Sequence, residues 1–141
     1  MASYRIWNDT IVEPSKVELL LDSSFLMFIV STPTEKIDSI QESLGNAKLV
    51  VLNAILDELQ RLSTISSTKR AKSARSALNF ALGLKSIFYD QGIDVDDMIL
   101  NYASSHGAAV ATLDSELRHR LKAIGVTVVF RRGNLLAIDK S

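Results

Sequence analysis

No cysteine occurs anywhere in the 141 residues, so disulfides, thiolate metal sites and cysteine nucleophiles are excluded and zinc loses its usual sulfur ligands. The absence suits a reducing compartment. Net charge is missing too: 16 basic residues balance 16 acidic ones, so any attraction to nucleic acid or membrane must come from local clusters. There is no membrane-length hydrophobic run either. The most apolar stretch, Val17 to Val30, is broken by Asp22, Ser23 and Ser24, and lies too far along the chain for an ordinary signal peptide. The expectation is a soluble, cytoplasmic protein without a repeat or low-complexity tract. What is present is 47% hydrophobic residues, enough at this length for one domain with a continuous core.

Residues 1–15 show no clear period and form an N-terminal extension of unassigned role, read as an arm or an edge strand packed through Ile6 and Trp7. Val17 to Leu21 then suit a buried strand that stops at Asp22. Thr32-Pro33-Thr34-Glu35 reads as a helix start with a capping box, and Gly45 as its end. Lys48 to Leu52 predict a strand, Ala54 to Leu62 a helix, and Ser63 to Thr68 a loop. A long helix is expected over Lys69 to Phe88, with Ala74, Leu78, Ala81 and Phe88 at core spacing. A faint strand signal covers Gln91 to Val95, and a helix covers Val95 to Ser105. Ala108 to Leu113 read as a strand, Glu116 to Ile124 as a helix and Val126 to Arg131 as a strand. Such alternation predicts an α/β fold with an open, mainly parallel sheet between helices.

Two aspartates, Asp22 and Asp114, each directly follow an apolar run. In an open parallel sheet both emerge at the carboxyl edge, where ligand crevices form. A cap or turn explains either one alone, but two at matching positions favour a site. At about 100° per residue, Glu58 borders the apolar face of Ile55, Leu56, Leu59 and Leu62, whereas Asp57 faces water. Of the acids at the start of the next helix, Asp96 borders the face of Val95, Met98, Ile99 and Tyr102. Asp97 lies on the far side, and capping explains at least one of Asp94, Asp96 and Asp97. Carboxylates that converge without nearby lysines repel one another and need a cation. Oxygen-only ligands suit Mg²⁺ or Mn²⁺, which activate water for attack on a phosphate.

The order and setting of these acids resemble the PIN-domain ribonuclease family. Leu20-Leu21-Asp22-Ser23-Ser24-Phe25-Leu26 is similar to its first-strand motif, Asp57-Glu58-Leu59 to its Glu-Leu helix motif and Asp96-Asp97-Met98-Ile99-Leu100 to its third. Val110-Ala111-Thr112-Leu113-Asp114-Ser115-Glu116-Leu117 resembles its last. The likeness runs from about Val17 to Arg132, within a PIN-like domain spanning residues 16–141. It implies a three-layer α/β/α fold around a sheet of four to five strands, and divalent-metal-dependent cleavage of RNA. Asp22, Glu58, Asp96 and Asp114 would hold Mg²⁺ or Mn²⁺, with Asp97 and Glu116 as secondary ligands. Ser24 departs from the asparagine or aspartate often found there, and Leu113 from a position that is often polar. From Val110 through Arg118-His119-Arg120-Leu121 to Val129-Phe130-Arg131-Arg132-Gly133 the chain resembles archaeal PIN proteins related to ribosomal-RNA processing nucleases, with VapC-type toxins close by. Partners implied are RNA, a second copy of the chain, and a cognate inhibitor protein or ribosome-assembly partner.

Lys69, Arg70, Lys72 and Arg75 form one basic cluster, and Arg118, Arg120, Lys122, Arg131 and Arg132 a second. Each is read as a phosphate-binding surface or as a solvated face. His106 reads as a helix-end residue and His119 as a surface residue, while Tyr4, Trp7 and Tyr102 divide between base stacking and packing. Besides the nuclease, two further readings stand: a catalytically silent PIN fold that binds RNA or protein, and a receiver domain, for which the remaining motifs give no pattern.

Overall fold

The structure is a computed structural model that describes residues 5–7, 10–12, 17–32, 35–65 and 67–141. Strands β1 (Arg5–Trp7) and β2 (Thr10–Val12) pair antiparallel within the N-terminal extension; the side chains of Ile6 and Trp7, and all of Tyr4, lie outside the described residues. The body is built on β3 (Glu18–Leu21), β4 (Lys48–Leu52), β5 (Lys85–Ile87), β6 (Ala109–Ala111), β7 (Val128–Arg132) and β8 (Leu135–Asp139). They form one sheet in the order β5-β4-β3-β6-β7-β8, parallel except for the antiparallel edge strand β8. Leu19, Leu20 and Leu21 are wholly buried, as are Val50, Val51 and Leu52. Strands covered on both faces require such unbroken apolar runs.

Among the described residues six helices connect the strands: α1 (Ser23–Ile29), α2 (Glu35–Ser43), α3 (Asn53–Ile65), α4 (Lys69–Leu82), α5 (Val95–His106) and α6 (Ser115–Ala123). Helices α1, α3 and α4 pack on one another, and α5 packs on α6. Right-handed crossovers to either side of β3 place these two groups on opposite faces, giving the three layers. Helix α4 lies close on its neighbours because its buried stripe is Ala71, Ala74, Ala77 and Ala81.

Three elements correct the sequence reading. Helix α1 was not expected, because Phe25 to Ile29 are apolar on every side and leave no helical period to read. The long helix ends at Leu82, and the strand that follows is Lys85–Ile87, not Gln91 to Val95. Phe88 therefore lies beyond the helix, with 79% of its surface exposed instead of in the core. Strand β8 raises the main sheet to six strands from the four to five expected; the turn Gly133-Asn134 that makes it a hairpin with β7 is a signal the sequence reading passed over. Pro33, Thr34 and the Glu35 side chain that would close the capping box lie outside the described residues, while the Thr32 hydroxyl donates to the carbonyls of Phe28 and Ile29 at the end of α1. Among the described residues no helix is long and apolar enough to cross a membrane.

Candidate active site

The chain leaves β3 for β4 on one side, whereas β6 lies on the other, so the carboxyl ends of β3 and β6 meet where the winding reverses. Open α/β sheets bind ligands at this switch point. Leu21 pairs with Ala111, and the Asp22 amide donates to the Ala111 carbonyl at 3.0 Å, so the residues that follow both strands are held side by side. Asp22 caps α1 and Asp114 caps α6.

A hydroxyl network fixes the two acids relative to each other. Thr112, wholly buried, donates from Oγ1 to Asp22 Oδ2 at 2.7 Å and accepts from the Asp114 amide at 3.1 Å. Ser24 donates from Oγ to the same Asp22 oxygen at 2.9 Å and accepts from the Leu113 amide at 3.0 Å. The Ser23 amide occupies Asp22 Oδ1. Asp114 Oδ1 accepts from the amides of Glu116 and Leu117, and among the described residues no hydrogen bond is directed at its Oδ2.

The third aspartate comes from α5, which starts at the cap Asp94 and ends at Gly107, whose φ of +64° is the left-handed turn a glycine makes without strain. Asp96 is half-buried. Burial, then the charges of Asp22, Asp114 and Asp94, push its carboxyl from the ordinary 3.8 to about 6. Burial also raises Asp22, assisted by Asp114 and opposed by the hydrogen bonds from Thr112, Ser24 and Ser23. Asp22, Asp96 and Asp114 are therefore one electrostatic cluster. Asp97 takes another direction: its Oδ1 pairs with Arg120 on α6 at 2.8 Å.

Glu58 sits half-buried on α3 beside buried Leu59, with Asp57 exposed next to it, and forms no hydrogen bond or ion pair among the described residues. Glu116 is exposed on the first turn of α6. Among the described residues no three His, Asp or Glu side chains are drawn together as a ready-made ion cage. The donor set nonetheless fits a hard divalent cation: every group is a carboxylate oxygen, and a cation would offset both the burial that chiefly raises Asp22 and Asp96 and the like charges that add to it.

The two basic clusters differ. The side chains of Lys69, Arg70 and Lys72 are exposed and form no hydrogen bond or ion pair among the described residues, whereas the Arg75 side chain donates to the Ser63 carbonyl at 2.8 Å. In the second cluster Arg118 lies 4.2 Å over the Phe130 ring, Arg120 pairs with Asp97, and Lys122 pairs with Asp139 at 3.0 Å. His106 ends α5 stacked 4.1 Å from Tyr102, which is buried, while His119 is exposed. Sequence reasoning assigned no role to Thr112 or Ser24. The one signal for Thr112 was a polar side chain closing a buried strand two residues before Asp114.

Solved structures share this fold, two of them as follows. One, described as the structure of the PIN domain endonuclease Utp24, superposes with a TM-score of 0.67 at 18% identity, covering 88% of this chain and 92% of its own. The other, the crystal structure of PAE2754 from Pyrobaculum aerophilum, gives 0.51 at 19% identity, covering 77% and 89%. No curated protein matches the chain in sequence. Residues 19–134 match the family described as a PIN like domain, which takes in β3 to β7 with every aspartate of the cluster, and the chain belongs to that family.

Proposed function

We propose that the protein is a divalent-metal-dependent endoribonuclease that hydrolyses RNA phosphodiester bonds. The observation behind this reading is the coupled cluster of Asp22, Asp96 and Asp114 at the switch point, two of them raised by burial and mutual repulsion. Asp22, Asp96 and Asp114 would hold Mg²⁺ or Mn²⁺, with Glu58 completing the set from α3 and Asp97 or Glu116 in outer positions. The bound ion supplies a Lewis acid that lowers the pKa of water and offsets charge on the phosphate. The chain's own part is to fix the acids: Thr112 and Ser24 lock Asp22, the α6 amides orient Asp114, and Arg120 draws Asp97 aside. The endonuclease described for Utp24 accords with this chemistry, and a role in RNA processing or as a VapC-type toxin is part of the same proposal.

The test is incubation with structured and unstructured RNAs in Mn²⁺ or in chelator, with Asp22→Asn beside the wild type. Cleavage should need the ion and be lost in Asp22→Asn. Undiminished cleavage in chelator would sink the metal mechanism. Folded protein that binds RNA, yet cuts none with Mn²⁺, would favour a silent binding module instead.

A further inference from the structure

A groove of about 430 Å³ runs between α1, α4 and the end of β7, lined by Ser24, Met27, Phe28, Lys69, Arg70 and Arg131. It opens beside the carboxylate cluster, since Ser24 is hydrogen-bonded to Asp22, and Leu113, which also lines it, directly precedes Asp114. We propose that this groove is a subsite for one unpaired nucleotide of an RNA strand, its base on the Arg131–Phe28 pair and its phosphates drawn by Lys69 and Arg70. This rests on the ribonuclease reading and extends it to how the strand is held.

Three features select this occupant. First, Lys69 and Arg70 have no partner among the described residues, and the first turn of α4 holds no acid. Cations at the positive end of a helix are disfavoured by folding alone, so their placement is rewarded only when an anion arrives. Second, Arg131 faces them across the groove from a separate element. Its Nε donates to the Gly133 carbonyl at 2.8 Å, and its guanidinium carbon sits 5.2 Å over the Phe28 ring. The remaining guanidinium N–H groups have no other partner among the described residues, and Phe28 is backed by Phe25 at 6.4 Å, so the platform is supported from below. Guanidinium planes and aromatic rings are the surfaces on which splayed bases stack, and a base inside a duplex cannot present its face to them. Third, the charge is local. A larger cleft of about 850 Å³ at the amino-terminal ends of β4 and β5 mixes Asp38 and Glu42 with Lys48 and Lys85 and has no such bias toward a polyanion.

The probe is fluorescein-labelled oligouridylate, its binding followed by anisotropy in chelator so that no cleavage occurs, across a range of salt. The Mn²⁺-induced rise in melting temperature is read on the same proteins, and metal-free melting confirms folding. Lys69→Gln with Arg70→Gln should weaken binding about tenfold and cut the salt slope by about 1.4, or about 0.7 per lost single-strand phosphate contact. Arg131→Lys keeps the charge but loses the plane. It should weaken oligouridylate binding about tenfold and leave an abasic strand of equal length unaffected. Lys48→Gln with Lys85→Gln should bind as wild type does, and the Mn²⁺ response should persist in every variant. Wild-type affinity and slope in both groove variants would overturn the subsite, as would duplex RNA competing as well as the single strand. Loss of binding in the groove variants, with no Mn²⁺ response even in the wild type, would instead uphold the subsite and remove the metal-centre reading.

Discussion

Asp22 keeps its position because three donors converge on a carboxylate with only 7% of its surface exposed, and the most buried of them, Thr112, also holds the Asp114 amide. Thr112→Val removes the hydroxyl while keeping the shape. It should cost about 1–3 kcal/mol in denaturant unfolding, because the Asp114 amide and Asp22 Oδ2 lose a partner. It should also push the Asp22 carboxyl further up and weaken Mn²⁺ binding about ten- to hundredfold, as lost orienting partners do. Metal affinity unchanged in Thr112→Val would leave the hydroxyl a packing group. A second residue-level consequence concerns pH. Asp96 rises from 3.8 unfolded to about 6 folded, so the native state binds more protons between those values and metal-free stability falls as pH rises through that window, levelling off above it. Melting in chelator should show this decline, and saturating Mn²⁺ should flatten or reverse it. A metal-free melting temperature that climbs from pH 4 to pH 6 would show that the burial of Asp96 among like charges does not govern stability there. The acids were legible because each strand-end aspartate follows an apolar run. The Thr112 link was not, since its partner Asp22 lies far away in sequence and only the β3–β6 pairing brings the two together.

Among the elements, α5 sets where Asp96 sits, and its first turn is packed from outside by Gly92. A Cβ there would fall 2.7 Å from the Met98 amide nitrogen and 2.9 Å from the Asp97 carbonyl carbon, both backbone atoms that cannot swing aside. Gly92→Ala should therefore shift the start of α5, lowering stability by about 1–3 kcal/mol. It should weaken Mn²⁺ binding through Asp96 although no ligand has changed. Calorimetric titration beside thermal melting checks both; a variant as stable and as tight-binding as wild type would mean that the α5 start tolerates the shift. Strands with continuous apolar runs and helices with one apolar face were legible in advance, as β4 and α3 are. Helix α1 hid in a segment apolar all round, β5 hid because Gly83 ends α4 sooner than the apolar spacing suggested, and β8 hid in a weak alternation after a Gly-Asn turn. For α1 the missing information was tertiary, namely which face is covered, whereas Gly83 and the Gly133-Asn134 turn were local signals that apolar spacing alone does not weigh.

For the molecule as a whole, zero net charge conceals a separation along one edge. The carboxylates gather at the switch point between β3 and β6, and unpartnered cations border the adjoining groove. The layered α/β architecture followed from alternation alone, and the acidic edge from placing Asp22 and Asp114 on it. The family resemblance grouped Asp22, Glu58, Asp96 and Asp114 in advance; what sequence left open was how they are held, because the hydroxyls of Thr112 and Ser24 reach Asp22 only once the sheet is assembled. The most direct measurement is the cleavage rate of a labelled single-stranded RNA across an Mn²⁺ titration for wild type, Asp96→Asn and Asp97→Asn, with folding checked for each. A shared Asp22–Asp96–Asp114 centre predicts saturable Mn²⁺ dependence, a fall of about a hundredfold or more in Asp96→Asn, and a fall of only about tenfold or less in Asp97→Asn. Cleavage independent of Mn²⁺, or Asp97→Asn losing the rate while Asp96→Asn retains it, would contradict that centre.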